Sequence, residues 1–169
     1  MMKSIKVLII FAIISVLIWC GLIYFQILGN FNLFSANITK TALIDLTNQE
    51  RQKFNLAALN ENPLLDRAAY LKALDMVKNG YFDHNSPGGT KPWYWFDQSG
   101  YDYKYAGENL AIGFTDSGAV NNAWIASPTH RANILNRNYR EIGIAILNTY
   151  FQGSPAVIVV QLFGDKQNE

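Results

Sequence analysis

The most apolar stretch of the chain comes first, and its residues 7–25 carry no charge. At about 1.5 Å per helical residue it spans roughly 28 Å, close to the ~30 Å hydrocarbon core of a bilayer. After residue 40 the pattern becomes periodic. Leu43, Leu46, Glu50 and Phe54 recur at three- and four-residue steps, which predicts a helix from about 41 to 54 with one mostly apolar face. Leu64, Leu65, Ala68, Ala69, Ala73, Met76 and Val77 trace a second stripe. Asn62 is placed to cap that helix, Pro63 to take its first position, and Gly80 to end it at positive φ. A short third helix follows Thr90, with Trp93 and Phe96 inward and Gly100 closing it. Residues 101–105 alternate and read as an extended entry to Gly107-Glu108-Asn109. Asp116 or Ser117 starts a fourth helix through Val120, Ala123 and Trp124. Two Ile/Val-rich stretches, 141–147 and 156–163, read as strands, with Gly153 and Pro155 marking the turn between them. Helices early and a β hairpin late predict α+β layering.

Three polar stretches interrupt these elements: Asp83-His84-Asn85-Ser86-Pro87, Gly107-Glu108-Asn109, and Ser127-Pro128-Thr129-His130-Arg131-Ala132-Asn133. They hold both histidines of the chain, and each sits beside a helix boundary or in a Gly- or Pro-marked turn. Two histidines and a carboxylate brought together make either an acid/base site or a partial zinc site. Ser127 before Pro128 has a plainer reading, serine at the N-cap and proline at the first helical position. His130 then lies in the first helical turn, where the macrodipole favours the neutral ring. There is no Gly-x-Ser-x-Gly elbow of the serine hydrolases. The aromatics Trp93, Trp95, Tyr101, Tyr103, Tyr105 and Trp124 read mainly as core, a minority as cleft lining.

These stretches, with Leu46-Thr47-Asn48-Gln49-Glu50-Arg51, Asn62-Pro63-Leu64-Leu65, Trp124-Ile125-Ala126 and Ile142-Gly143-Ile144, occur together in one order. In that order and spacing, residues from about 41 to 164 resemble the CAP superfamily (cysteine-rich secretory proteins, antigen 5, pathogenesis-related 1; the SCP domain), in its bacterial branch. The resemblance implies a three-layer α-β-α sandwich. It also implies a central cleft with two histidines and two acidic residues. His84, Glu108 and His130 match three of the four positions, and Ser127 stands at the second acidic one. Any zinc held by His84, His130 and Glu108 is therefore expected to be weakly bound. Asn109, Arg131 and Asn133 are expected to support the cleft, with Asn109 and Arg131 bonded to backbone carbonyls. The family's disulfides are absent.

Charge adds location to this picture. Lys3 and Lys6 precede the uncharged run, which by the positive-inside rule keeps the N-terminus cytoplasmic and sends the rest outward. The resulting organisation is a membrane anchor or uncleaved signal over 1–28, a tether over 29–40 and a CAP domain over 41–169. Secretion after signal cleavage is the alternative, but the run is longer than a signal's apolar region and Ile23-Tyr24-Phe25 lacks small residues. Lipid attachment at Cys20 is disfavoured by the bulky Trp19 before it. Without Lys3 and Lys6 the 14 basic residues fall to 12, against 13 acidic, a net of −1. With no basic excess, nucleic acid is excluded as a partner. The only cysteine is Cys20, so residues 41–169 must be held by their core. The reading favoured is a membrane-anchored extracytoplasmic module that binds a small ligand, a glycan or a protein. The alternatives are a hydrolase using His84, Glu108 and His130, and a purely structural surface domain.

Overall fold

The computed structural model describes residues 13–24 and 37–167. Contacts divide the chain into two units, 1–35 and 36–169. In the first, residues 13–24 form helix α1, with Ile13, Leu17, Trp19 and Tyr24 exposed. The expected membrane run over 7–25 lies partly outside the described residues. Among the described residues no helix is long and apolar enough to cross a membrane.

Of the stretch read from the sequence as tether, 29–40, only residues 37–40 are described, and these pack onto the second unit. Asn37 bridges to Asp116, Ile38 is buried, and the Thr39 side chain accepts the amide of Ala42 at 3.2 Å. Helix α2 (Lys40–Lys53) follows. Then come β1 (Asn60–Glu61), α3 (Pro63–Asn79), α4 (Trp93–Ser99), β2 (Tyr103–Ile112), α5 (Ser117–Ala126), α6 (Pro128–Ile134), β3 (Glu141–Phe151) and β4 (Ser154–Lys166). The caps of α3 follow the sequence signals: the Asn62 side chain accepts the Leu64 amide at 2.8 Å, and Gly80 ends the helix at φ 66°. Thr90 does not cap α4, whose N-cap residue is Pro92 and which has no side-chain cap. The hairpin is tighter than expected. Gln152 and Gly153 both take positive φ, 50° and 80°, so a two-residue turn lets the strands run on to Phe151 and from Ser154.

The sheet order is β1-β3-β4-β2, with β1 parallel to β3 and the other pairs antiparallel. Central strand β4 is buried on both faces. Val157, Val159 and Phe163 pack in a core with Leu43, Val120, Trp124 and Ile134 from α2, α5 and α6. Ile158, Val160 and Leu162 pack on the other side with Leu65, Ala69, Met76 and Phe96 from α3 and α4. This is a mixed α/β fold with helices on both faces of one sheet, the layering expected. The sheet is mixed because β1 returns parallel to β3.

Helix α3 seats on β3 at Gly143. A Cβ there would come within 2.4 Å of Leu65 and Asp66 backbone and side-chain atoms. The contact is locked by the Asp66 carboxylate, which accepts the Ile144 amide at 2.8 Å, and by the Asn62 amide, which donates to the Ile142 carbonyl at 2.9 Å. Gly143→Ala should therefore cost at least the ~1–3 kcal/mol of an overpacked core site. Urea denaturation reads this directly, and an unchanged midpoint would refute the close seating.

Candidate functional site

Strand β2 lies at the sheet edge and pairs only with β4. Gly107-Glu108-Asn109, expected in a turn, is the middle of this strand. The glycine is needed for a tertiary reason: a Cβ at Gly107 would meet the Tyr139 hydroxyl at 2.3 Å. The open side of the strand is closed by side chains. The carbonyls of alternate residues Ala106, Glu108 and Leu110 accept from Tyr139 Oη (3.0 Å), Asn133 Nδ2 (2.9 Å) and Trp124 Nε1 (3.0 Å). An unpaired strand edge invites other chains, and these bonds blunt it.

Strand alternation sends Glu108 and Asn109 to opposite faces. Asn109 is fully buried. Its Nδ2 donates to the His130 carbonyl (3.2 Å) and to Gln161 Oε1 (3.0 Å), and its Oδ1 accepts from Asn133 (2.9 Å). Gln161 in turn donates to Thr47 Oγ1 at 2.9 Å. One asparagine thus connects β2, β4 and α6, and through Gln161 also α2. Asn109 and Asn133 each donate to a backbone carbonyl, of His130 and Glu108, whereas the Arg131 guanidinium lies over the Phe54 ring, 5.3 Å from the centroid. The arginine that holds carbonyls is Arg51. It is fully buried and donates to Ala57, Ile134 and Asn136 at 2.8 Å each and to Tyr139 at 3.4 Å. Ser127 occupies the N-cap of α6, yet its hydroxyl bonds Thr129 Oγ1 at 3.2 Å and no helix amide.

On the other face Glu108 is 4% exposed. Its Oε1 lies 2.6 Å from Nδ1 of His84, whose side chain is half exposed in the bend after α3. Oε2 of Glu108 and Nδ1 of His130 are buried and have no hydrogen-bond partner among the described residues. Burial pushes the Glu108 carboxyl above its usual range, opposed by the bond from His84 and the charge of Lys72. The bond to Glu108 raises the His84 pKa, against desolvation. Desolvation lowers the His130 pKa, and the nearby charge of His84 lowers it further. Two of the stretches therefore meet in the His84–Glu108 bond, and His130 lies near enough for the charge of His84 to act on it; one histidine is biased to the cation and the other to the neutral ring.

As placed, the trio forms no three-ligand metal group. No group of three His, Cys, Asp or Glu side chains among the described residues is placed to hold a metal ion. His84 and Glu108 turn their facing atoms on each other, in a hydrogen bond and not toward a common point. A surface groove runs along α2, lined by Asp45, Asn48, Gln49, Gln52, Leu56 and Ala58, but it contains no histidine and no unpartnered buried acid.

The model of the CAP (cysteine-rich secretory protein) family matches residues 44–163. The chain belongs to the CAP family. Its relatives include bacterial members. The uncharacterized protein YkwD of Bacillus subtilis is 38% identical over 115 residues, 68% of this chain and 45% of that protein. The uncharacterized membrane protein YlbC of the same organism is 32% identical, over 64% of this chain and 32% of that protein. The CAP chain thus spans less than half the length of either. Among solved structures, an outer surface protein of Borrelia burgdorferi superposes with TM-score 0.65 at 28% identity, over 76% of this chain and 96% of that one. An extracellular protein of Bacillus anthracis containing a SCP domain also gives TM-score 0.65 at 28% identity, over 73% and 39%.

The opposed shifts in this CAP cleft predict two separate histidine titrations. By NMR, His84 should titrate above the ordinary histidine range and His130 below it, and Glu108→Gln should bring His84 down. A raised folded-state pKa means that the His84–Glu108 pair stabilises the fold fully below the ordinary histidine pKa. That contribution is lost as pH rises through the elevated value. An unmoved His84 midpoint in Glu108→Gln would contradict the pairing.

Proposed function

We propose that this CAP domain is a binding module displayed outside the cytoplasm, and that its cleft takes a hydroxyl-rich ligand of the glycan class. The observation that carries this is the pair of buried atoms without partners, Glu108 Oε2 and His130 Nδ1, beside half-exposed His84. A buried polar atom left unpaired costs roughly 1–3 kcal/mol, which a ligand bond can recover. A carboxylate only accepts, whereas a neutral imidazole nitrogen donates or accepts according to tautomer. A hydroxyl does both, so adjacent hydroxyls on one ligand can satisfy both atoms. A wholly apolar ligand would leave them unpaired, and a purely structural domain would gain nothing from them. A hydrolytic reading draws on the same His84, Glu108 and His130. A serine nucleophile has no support in it, since Ser127 shares its hydroxyl with Thr129 and has no bond to a histidine.

Display outside the cytoplasm would use residues 7–25 as a single-pass anchor, with Lys3 and Lys6 on the cytoplasmic side. The names of the relatives, a membrane protein, an outer surface protein and an extracellular protein, support this placement. Intact-mass measurement of protein from the membrane fraction should find residues 1–28 retained, and a mature N-terminus after residue 28 would refute the anchor.

The cleft is tested by NMR titration with soluble neutral oligosaccharides, N-acetylglucosamine oligomers included. At least one should move the His84 and His130 ring resonances, and Glu108→Gln should abolish the shift. If the whole panel leaves those rings unmoved, the glycan assignment is wrong.

A further inference from the structure

Beneath the cleft lies a charge that the binding reading does not use. Lys72 sits in the apolar stripe of α3, between Ala69 and Met76, and is fully buried. Burying an ammonium without compensation costs several kcal/mol. An ammonium has three donors and no acceptor, and Lys72 spends all three. Nζ donates to the carbonyls of Asp83 and His84, at 2.8 Å each, and to Tyr81 Oη at 3.2 Å. The Tyr81 hydroxyl in turn donates a hydrogen bond to Asp75 Oδ2, and its ring centroid lies 4.8 Å from the ammonium. Nothing in α3 packing requires a cation here, since a methionine would fill a similar space.

The two carbonyls are the informative partners. Asp83 and His84 are consecutive residues of an exposed bend. Their carbonyls could be satisfied by water at the surface at no cost to the core. Instead both turn inward onto one buried charge, which fixes the peptide planes on either side of the His84 Cα. The ring that this backbone carries must reach Glu108 Oε1 at 2.6 Å while staying half exposed. The ammonium also lies close enough to Glu108 for its charge to favour the carboxylate, together with His84.

We propose that Lys72 is the positioning residue of the cleft: from inside the domain it clamps the Asp83–His84 backbone so that the His84 imidazole meets Glu108. This rests on reading the His84–Glu108 cleft as the binding site. Lys72 touches no ligand itself. Its substitution should disturb the cleft before it disturbs the fold.

The test is Lys72→Met in the full chain, followed by the ring ¹⁵N shifts of His84. These report the hydrogen bond at Nδ1. The variant should keep a dispersed, folded spectrum while the His84 nitrogens move to the values of an unbonded imidazole. Val157→Ala, a core change in the cluster on the opposite face of the sheet, should lower stability and leave the His84 shifts in place. Unmoved His84 shifts in Lys72→Met would overturn the proposal. Should that variant not fold, the unsubstituted protein decides the matter. Its Lys72 ammonium protons should exchange slowly and correlate across hydrogen bonds with the carbonyl carbons of Asp83 and His84; rapid exchange would overturn the proposal equally. No ligand enters either measurement, so a failed oligosaccharide titration and a failed clamp are told apart.

Discussion

The structure depends on how one edge strand is held. Strand β2 has a single strand neighbour, and its open side would be a row of unpaired backbone groups. Tyr139, Asn133 and Trp124 close that side by donating to three alternate carbonyls. Asn109 fastens the strand from the opposite direction by bonding Gln161 in the central strand. These bonds bring together α6, which carries His130, and β2, which carries Glu108. Buried side-chain networks of this kind are expensive when incomplete and rigid when complete. Among Thr47, Asn109, Asn133 and Gln161 it is complete enough that none appears among the unpartnered buried atoms.

Period-two alternation then divides the labour. Asn109 faces the scaffold and Glu108, one residue earlier, faces the cleft. The same strand carries both without compromise because successive side chains point to opposite faces. The scaffold face is fully satisfied, while the cleft face keeps a carboxylate oxygen and an imidazole nitrogen in reserve. Charge follows the same division. Arg51 is buried on carbonyls alone, whereas the Glu108 carboxylate has two cationic neighbours, Lys72 and His84. Water-poor surroundings strengthen those attractions and also raise the cost of any atom left over.

Much of this was legible before any coordinates. Asn62, Pro63 and Gly80 bound α3 because caps are local chemistry, and Asp116 starts α5 for the same reason. The pairing of His84 with Glu108 was legible through the family pattern. What could not be read depends on distant partners. Gly107 suggested a turn because glycine is common in turns, but the tyrosine that excludes a side chain there is 32 residues on, at Tyr139. Arg131 looked like the carbonyl-holding arginine because it adjoins His130. The burial of Arg51 follows from the loops around Ala57 and Asn136 folding over the end of α2. Lys72 left one signal, a cation interrupting an apolar stripe. Such a position reads equally well as a snorkelling surface lysine.

The central claim is that scaffold and site are separate although they share a strand, and one comparison of thermal or urea melts tests it most directly. Asn109→Ala removes bonds to His130, Gln161 and Asn133, at roughly 1–3 kcal/mol for each group left unsatisfied. His130→Ala removes a ring whose Nδ1 has no partner among the described residues. Asn109→Ala should be clearly destabilising, and His130→Ala close to neutral. If His130→Ala proves the more destabilising of the two, His130 is a structural histidine, and the cleft loses the separation on which its reading as a binding site rests.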